Sequence, residues 1–141
     1  MAESLQDNIQ NTATTIKLPP NSQEAEQSVL GGLMLNDQHW FDLVDILQPS
    51  DFYRNQHQLI YQAMIELANQ DEALDAVTVS EKLKSKAILD KAGGIEYLGQ
   101  LAESSTGASN VLAYARIIRE RSVLRQLIGA ANQIADSAFS T

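Results

Sequence analysis

Cysteine is absent from this 141-residue chain, which excludes disulfides, thiol nucleophiles and cysteine-based metal sites. Histidine is nearly absent: only His39 and His57 occur, and their spacing brings no carboxylates into a ligand pattern. No apolar run approaches the roughly 18 residues of a membrane span. The start, Met1-Ala2-Glu3-Ser4, lacks the basic region and apolar core of a secretory signal. These absences fit a cytoplasmic protein with no membrane partner. No glycine is followed by lysine, so the Gly-x-x-x-x-Gly-Lys-Ser/Thr phosphate loop is missing. Ser28 and Ser122 have no histidine in a nucleophile motif. Cations are scarce as well, with 10 Lys and Arg against 18 Asp and Glu and a net charge of −8. That balance argues against a free-standing nucleic-acid binder, because phosphate neutralisation needs clustered positive charge.

What is present suffices for one domain with one real core, not for a two-lobed enzyme. The charge is unevenly placed. Residues 21–110 hold fourteen carboxylates against Arg54, Lys82, Lys84, Lys86 and Lys91, whereas residues 111–128 hold Arg116, Arg119, Arg121 and Arg125 against Glu120 alone. An acidic head followed by a basic helix suits either charge complementarity with another subunit or a plain solvated face.

The pattern is all-α. Residues 1–18 are rich in Asn, Gln, Ser and Thr without apolar period and read as a disordered tail. Pro19-Pro20 ends it. A first helix is expected over about 22–35, capped by Asn21 with Glu24 three residues on; Ala25, Val29, Leu30, Leu33 and Met34 form its stripe. A second spans roughly 37–48 with Trp40, Phe41, Val44 and Leu47 inward. A third, 55–69, buries Leu59, Ile60, Ala63, Met64 and Leu67. A fourth begins after Thr78, paired with Glu81 as a capping box, and buries Val79 and Leu83; Ala76 to Val79 is β-prone but too short for a sheet. A fifth, about 94–103, buries Ile95, Leu98 and Leu101. A flexible break is expected at Ser104 to Gly107. The sixth and longest covers about 110–137. The chain thus divides into a helical head, 19–108, and a long helix, 109–141.

On that last helix Ile117, Arg121, Leu124, Ile128, Ala131 and Ala135 recur at alternating spacings of four and three, a heptad-like seam with one charged member. Ile118, Leu127 and Ile134 widen the apolar arc, so the helix needs partners on more than one side. The remaining chemistry-bearing residues have structural readings. Glu24 and Glu26 suit a helix dipole, and His57 can cap a helix or bond across a loop. Gly31-Gly32 permits close packing, and Gly93-Gly94 makes a turn more readily than an anion cradle. Tyr53, Tyr61, Tyr97 and Tyr114 suit core or subunit packing, since base stacking requires a cationic groove and three of the four lie in the acidic head.

Several segments, in order, resemble the N-terminal domain of the bacterial replicative DNA helicases, the DnaB family. They are Pro19-Pro20 with Glu24-Ala25-Glu26-Gln27-Ser28-Val29-Leu30-Gly31-Gly32; Asp51-Phe52-Tyr53 with His57; Thr78 with Glu81 and Leu83; Gly93-Gly94 with Tyr97-Leu98; and Tyr114-Ala115 through Arg119-Glu120-Arg121-Ser122. The resemblance implies a compact orthogonal helical head followed by the first arm of a helical hairpin, with the second arm, linker and motor absent. It implies a non-catalytic collar domain in a ring-shaped hexamer built of dimers, docking the C-terminal domain of primase or a helicase loader. DNA would be met through the full assembly at the replication fork, near the bacterial nucleoid. No cofactor is expected in this chain; ATP and magnesium would belong to the motor. On this reading Ile117, Arg121, Leu124, Ile128 and Ala131 pack the hairpin or a dimer contact. Arg116, Arg119 and Arg125 lie on the flanks, free for acidic partner surfaces, and Ile134 and Phe139 near the tip contact primase. A stand-alone regulator of helicase or primase would show the same seam. A DNA-binding domain using 116–125 ranks lower on charge, and an enzyme comes last.

Overall fold

The computed structural model describes residues 17–105 and 110–140. Residues 1–16 of the expected tail, and Thr106 and Gly107 of the expected break, lie outside them. Within the described residues the secondary structure is entirely helical, and no helix is long and apolar enough to cross a membrane.

Helix α1 spans Gln23–Leu35. Its cap is Ser22, not Asn21: Ser22 Oγ accepts the Ala25 amide at 3.2 Å, while the Asn21 side chain donates back to the Pro19 carbonyl. Ala25, Val29, Leu30, Leu33 and Met34 are all buried, as their spacing predicts. Gly31 sits where a Cβ would fall onto the Leu101 carbonyl oxygen, so its lack of a side chain sets the close approach of α1 to the fifth helix.

Helix α2 is shorter than the pattern suggests, only Trp40–Val44. Trp40, Leu43 and Leu47 take its inward direction, and Phe41, expected inward, is 80% exposed. One residue's rotation of about 100° from Trp40 carries it off the core face. A 3₁₀ turn at Pro49–Asp51 follows, then α3 at Asn55–Asn69, where Ile60, Ala63, Met64 and Leu67 are buried as expected and Leu59 packs at the core edge.

Helix α4, Ala76–Ser85, begins before Thr78. Asp75 is the cap, accepting the Thr78 amide at 2.9 Å, and the Thr78 hydroxyl donates to the Ala73 carbonyl. The proposed Thr78–Glu81 box is therefore not formed. The β-prone stretch enters the helix because Asp75 caps it and Val79 and Leu83 are fully buried. Helix α5, Gly94–Ser104, buries Leu98 and Leu101. Ile95 is 63% exposed instead of buried, since it lies on the first turn, off the Leu98–Leu101 face. Gly93 and Gly94 adopt φ of 107° and 82°, a left-handed region that glycine alone enters at no steric cost. Their amides donate to the Asp90 and Leu89 carbonyls, so they close a turn and offer nothing to an anion.

The last helix, α6, covers Val111–Phe139, about 43 Å at 1.5 Å per residue. Its first third joins the head: Val111, Ala115 and Ile118 are in the same apolar core as α1, α3 and α5. Every residue from Gln126 to Ser140 is exposed.

Candidate assembly surface

Two stripes run along α6, and they point in different directions. Val111, Ala115, Ile118 and Ser122 recur at four, three and four, and all are buried against the head. Leu124, Leu127, Ile128, Ala131, Ile134 and Ala135 form the second stripe. At about 100° per residue its centre lies roughly 160° round the helix from the first. Leu127, Ile128 and Ile134 are 64%, 46% and 72% exposed. An apolar strip left in water on the far side of a helix from its own core marks a surface made to be covered.

The residues named by the sequence pattern fall along this geometry as follows. Ile117 is half-buried at the core edge. Arg121 is partly exposed and 3.5 Å from Glu120, an exposed pair of small energetic weight. Leu124, Ile128 and Ala131 lie on the open stripe. Ile134 and Phe139 are solvent-exposed near the end of the helix. The arginines divide. Arg116 is exposed, with no ion pair among the described residues. Arg119 and Arg125, expected to be free for partners, are instead bound within the chain.

Both meet Asp51, a residue to which the sequence pattern assigns no role: Arg119 at its carboxylate and Arg125 at its main-chain carbonyl. Its carboxylate is almost wholly buried. Oδ1 accepts from Arg119 Nη1 at 2.7 Å and from the Ser122 hydroxyl at 2.7 Å, and Oδ2 accepts the Gln48 amide at 2.7 Å. Arg125 donates to the Asp51 carbonyl at 2.6 Å and to the Pro20 carbonyl at 2.7 Å, and its guanidinium lies 5.4 Å from the Tyr53 ring centroid. The positive charge of 116–125 is thus partly spent on holding α6 to the head, in charge-assisted bonds of the strong kind. A pattern of Arg119, Ser122 and Arg125 on one helix face was legible in the sequence; the distant carboxylate they share was not.

A second buried polar cluster adjoins this one through the 52–54 loop. Glu26, read as a helix-dipole residue, is turned inward, with its carboxylate accepting the Tyr53 amide at 2.9 Å and meeting His57 Nδ1 at 2.7 Å. His57 Nε2 is 2.6 Å from the Tyr97 hydroxyl, and the two rings stack, 5.9 Å apart at 11°. With Nδ1–H donated to the carboxylate, Nε2 accepts from Tyr97, so both ring nitrogens are satisfied. The cluster ties α1, the 52–54 loop, α3 and α5 together. Tyr61, its ring tilted against those of Trp40 and Phe52, donates to the Leu47 carbonyl at 2.9 Å. Burial first, and the Asp51 charge second, push its phenol far above the ordinary tyrosine range.

Comparison with known proteins agrees with this geometry. Residues 18–120 match the model of the DnaB-like helicase N terminal domain. The chain is 42% identical over 125 residues to the replicative DNA helicase DnaB of Haemophilus influenzae, covering 89% of this chain and 27% of that protein. It is 44% identical over 124 residues to the DnaB of Geobacillus stearothermophilus, covering 88% of this chain and 27% of that protein. The chain therefore spans about a quarter of the length of the curated relatives it matches. Among solved structures, the N-terminal domain of DnaB helicase from Mycobacterium tuberculosis superposes with a TM-score of 0.85 at 37% identity, covering 87% of this chain and 88% of that one. The N-terminal domain of DnaB helicase from Helicobacter pylori, a structure that also concerns its interactions with primase, gives 0.68 at 28% identity, covering 82% of this chain and 89% of that one. A helical head, a long outgoing helix and a family match across 18–120 lead to one conclusion: the chain belongs to the DnaB-like helicase N-terminal domain family.

Proposed function

We propose that this chain is the non-catalytic N-terminal collar domain of a hexameric replicative DNA helicase, bringing subunits together and docking primase or a helicase loader during DNA replication in the bacterial cytoplasm. The observation that carries this reading is the open apolar stripe on α6, Leu124 to Ala135, facing away from the head. Ile117, Arg121, Leu124, Ile128 and Ala131 form the hairpin or dimer contact. Arg116, Ile134 and Phe139 remain as partner-docking positions, because Arg119 and Arg125 are committed to Asp51 and Pro20. The structure that describes the H. pylori domain with primase supports primase as the partner class. ATP and magnesium belong, on this reading, to the motor domain of the longer protein, and DNA is met by the assembled ring.

The test is mass in solution by size-exclusion chromatography with light scattering across a concentration series, for the parent chain and Leu124→Asp. The parent is expected to associate, and Leu124→Asp to lower the assembled fraction at least tenfold while keeping its helical circular dichroism. Association unaffected by Leu124→Asp would remove the stripe from the interface. Titration of the isolated primase C-terminal domain into the parent and Phe139→Ser then tests the docking assignment.

A further inference from the structure

Outside the stripe itself, the feature with no assigned role is the polar hub around Asp51. The last α6 residue in the buried apolar core is Ile118; beyond it, the head bonds the helix through Arg119, Ser122 and Arg125, and the 17–19 segment lies beside Ile128 and Gly129. The open stripe begins only at Leu124, so these polar bonds stand between the core and the surface to be covered.

Geometry makes this position consequential. From Ile118 to Phe139 the helix rises about 32 Å at 1.5 Å per residue, so a swing of about 10° about Ile118 would move the far end by roughly 5–6 Å. That exceeds half the 8–10 Å spacing of packed helices, enough to take a seam out of register with whatever covers it. Bonds at Arg119, Ser122 and Arg125 extend the anchored length by two turns and shorten the free lever to about 21 Å. The head side of the hub is stiff. Asp51 closes a 3₁₀ turn that starts at Pro49, its own carboxylate caps the Gln48 amide, and the other acceptor is the carbonyl of Pro20. Arg125 grips two carbonyls on separate segments at once, which fixes direction as well as distance.

We propose that Asp51 is the positioning residue of the assembly surface: through Arg119, Ser122 and the Arg125 clamp it fixes the direction in which α6 leaves the head. The functional consequence rests on the assembly reading above; the positioning itself does not. The cysteine-free chain allows a direct measurement. Spin labels are placed at Gln70→Cys on the head and Ser137→Cys near the helix end, both exposed, and the labelled protein is diluted about tenfold with unlabelled protein. The distance distribution is then read by pulsed electron resonance in the parent background, Asp51→Asn and Arg119→Gln. The second variant acts on a guanidinium that is 45% exposed, so it removes the ion pair without emptying a buried site.

The parent distribution is expected to be narrow and to broaden or shift by several ångströms in both variants at unchanged helical content, with Arg119→Lys restoring it in part. A residue that merely stabilises the fold would lower the melting temperature and leave the distribution narrow, and that result in both variants overturns the proposal. The same samples, weighed by light scattering, separate the two claims. Broadening with association weakened at least tenfold supports both. Broadening in both variants, with a parent that stays monomeric at every concentration, supports the hub and overturns the assembly reading.

Discussion

Replacing His57 by leucine and Glu26 by glutamine are predicted to have very different costs, although the two residues share one hydrogen bond. Both are essentially inaccessible, His57 at 0% and Glu26 at 2%. In His57→Leu the cavity stays filled, but Glu26 Oε1 loses its 2.7 Å partner and retains only the Arg54 amide at 3.4 Å. The Tyr97 hydroxyl is left with Gln27 alone. Leaving a buried carboxylate oxygen without its partner costs about 3 kcal/mol, the upper end of the range for an unsatisfied buried acceptor. In Glu26→Gln the site can repair itself. The amide oxygen still accepts from Tyr53, the amide NH₂ can donate to His57 Nδ1, and the ring can switch tautomer to donate from Nε2 to Tyr97. The expected cost is about 1 kcal/mol, that of one exchanged hydrogen bond. Against a total stability of about 5–15 kcal/mol, His57→Leu should lower the urea midpoint markedly. By thermal melting it should fall by about 10 °C, taking about 3 °C per kcal/mol for a domain of this size. Circular dichroism at 222 nm against urea, at neutral pH, is the assay. Equal costs for the two variants, or less than about 1 kcal/mol for His57→Leu, would refute the view that this cluster pins the 52–54 loop that follows Asp51.

Glycine substitutions should split by position. Gly31→Ala places a Cβ on the Leu101 carbonyl oxygen and should destabilise by about 1–3 kcal/mol through forced separation of α1 and α5. Gly129→Ala, on open helix surface with no atom within 4 Å, should stabilise by up to about 1 kcal/mol; urea melts of both check this. At alkaline pH, the raised phenol of Tyr61 means the unfolded chain loses its proton near the usual value of about 10 while the folded chain keeps it. Stability from this group is therefore complete below pH 10 and declines as pH rises above it, by up to about 1.4 kcal/mol per unit. Tyr61→Phe should flatten that part of the pH–stability curve. An unchanged alkaline slope would argue against the assignment.

Most of the helical plan was legible in the chain. Helix α3 appears at Asn55–Asn69, as its apolar period requires, and the extent of α6 follows from a run that no proline interrupts and only Gly129 weakens. Errors came where local chemistry offered equivalent choices. Asn21 and Ser22 both cap helices, as do Asp75 and Thr78, and packing chose between them. Phe41 sits on a five-residue helix too short for periodicity to fix its facing, and Ile95 on the first turn of α5, where the helix has only begun to pack.

The all-helical pattern, the long last helix and the apolar heptad-like stripe upon it are written in the chain, because they are properties of spacing along one segment. Which charges are available is settled by folding. Arg119 and Arg125 look identical to Arg116 along the chain, yet a carboxylate 68 residues earlier takes the first and two carbonyls take the second. Glu26 is drawn in to meet His57, 31 residues later. Periodicity is carried by neighbours in sequence; the pairing of buried charges is carried by neighbours in space, which are known only once the core has folded.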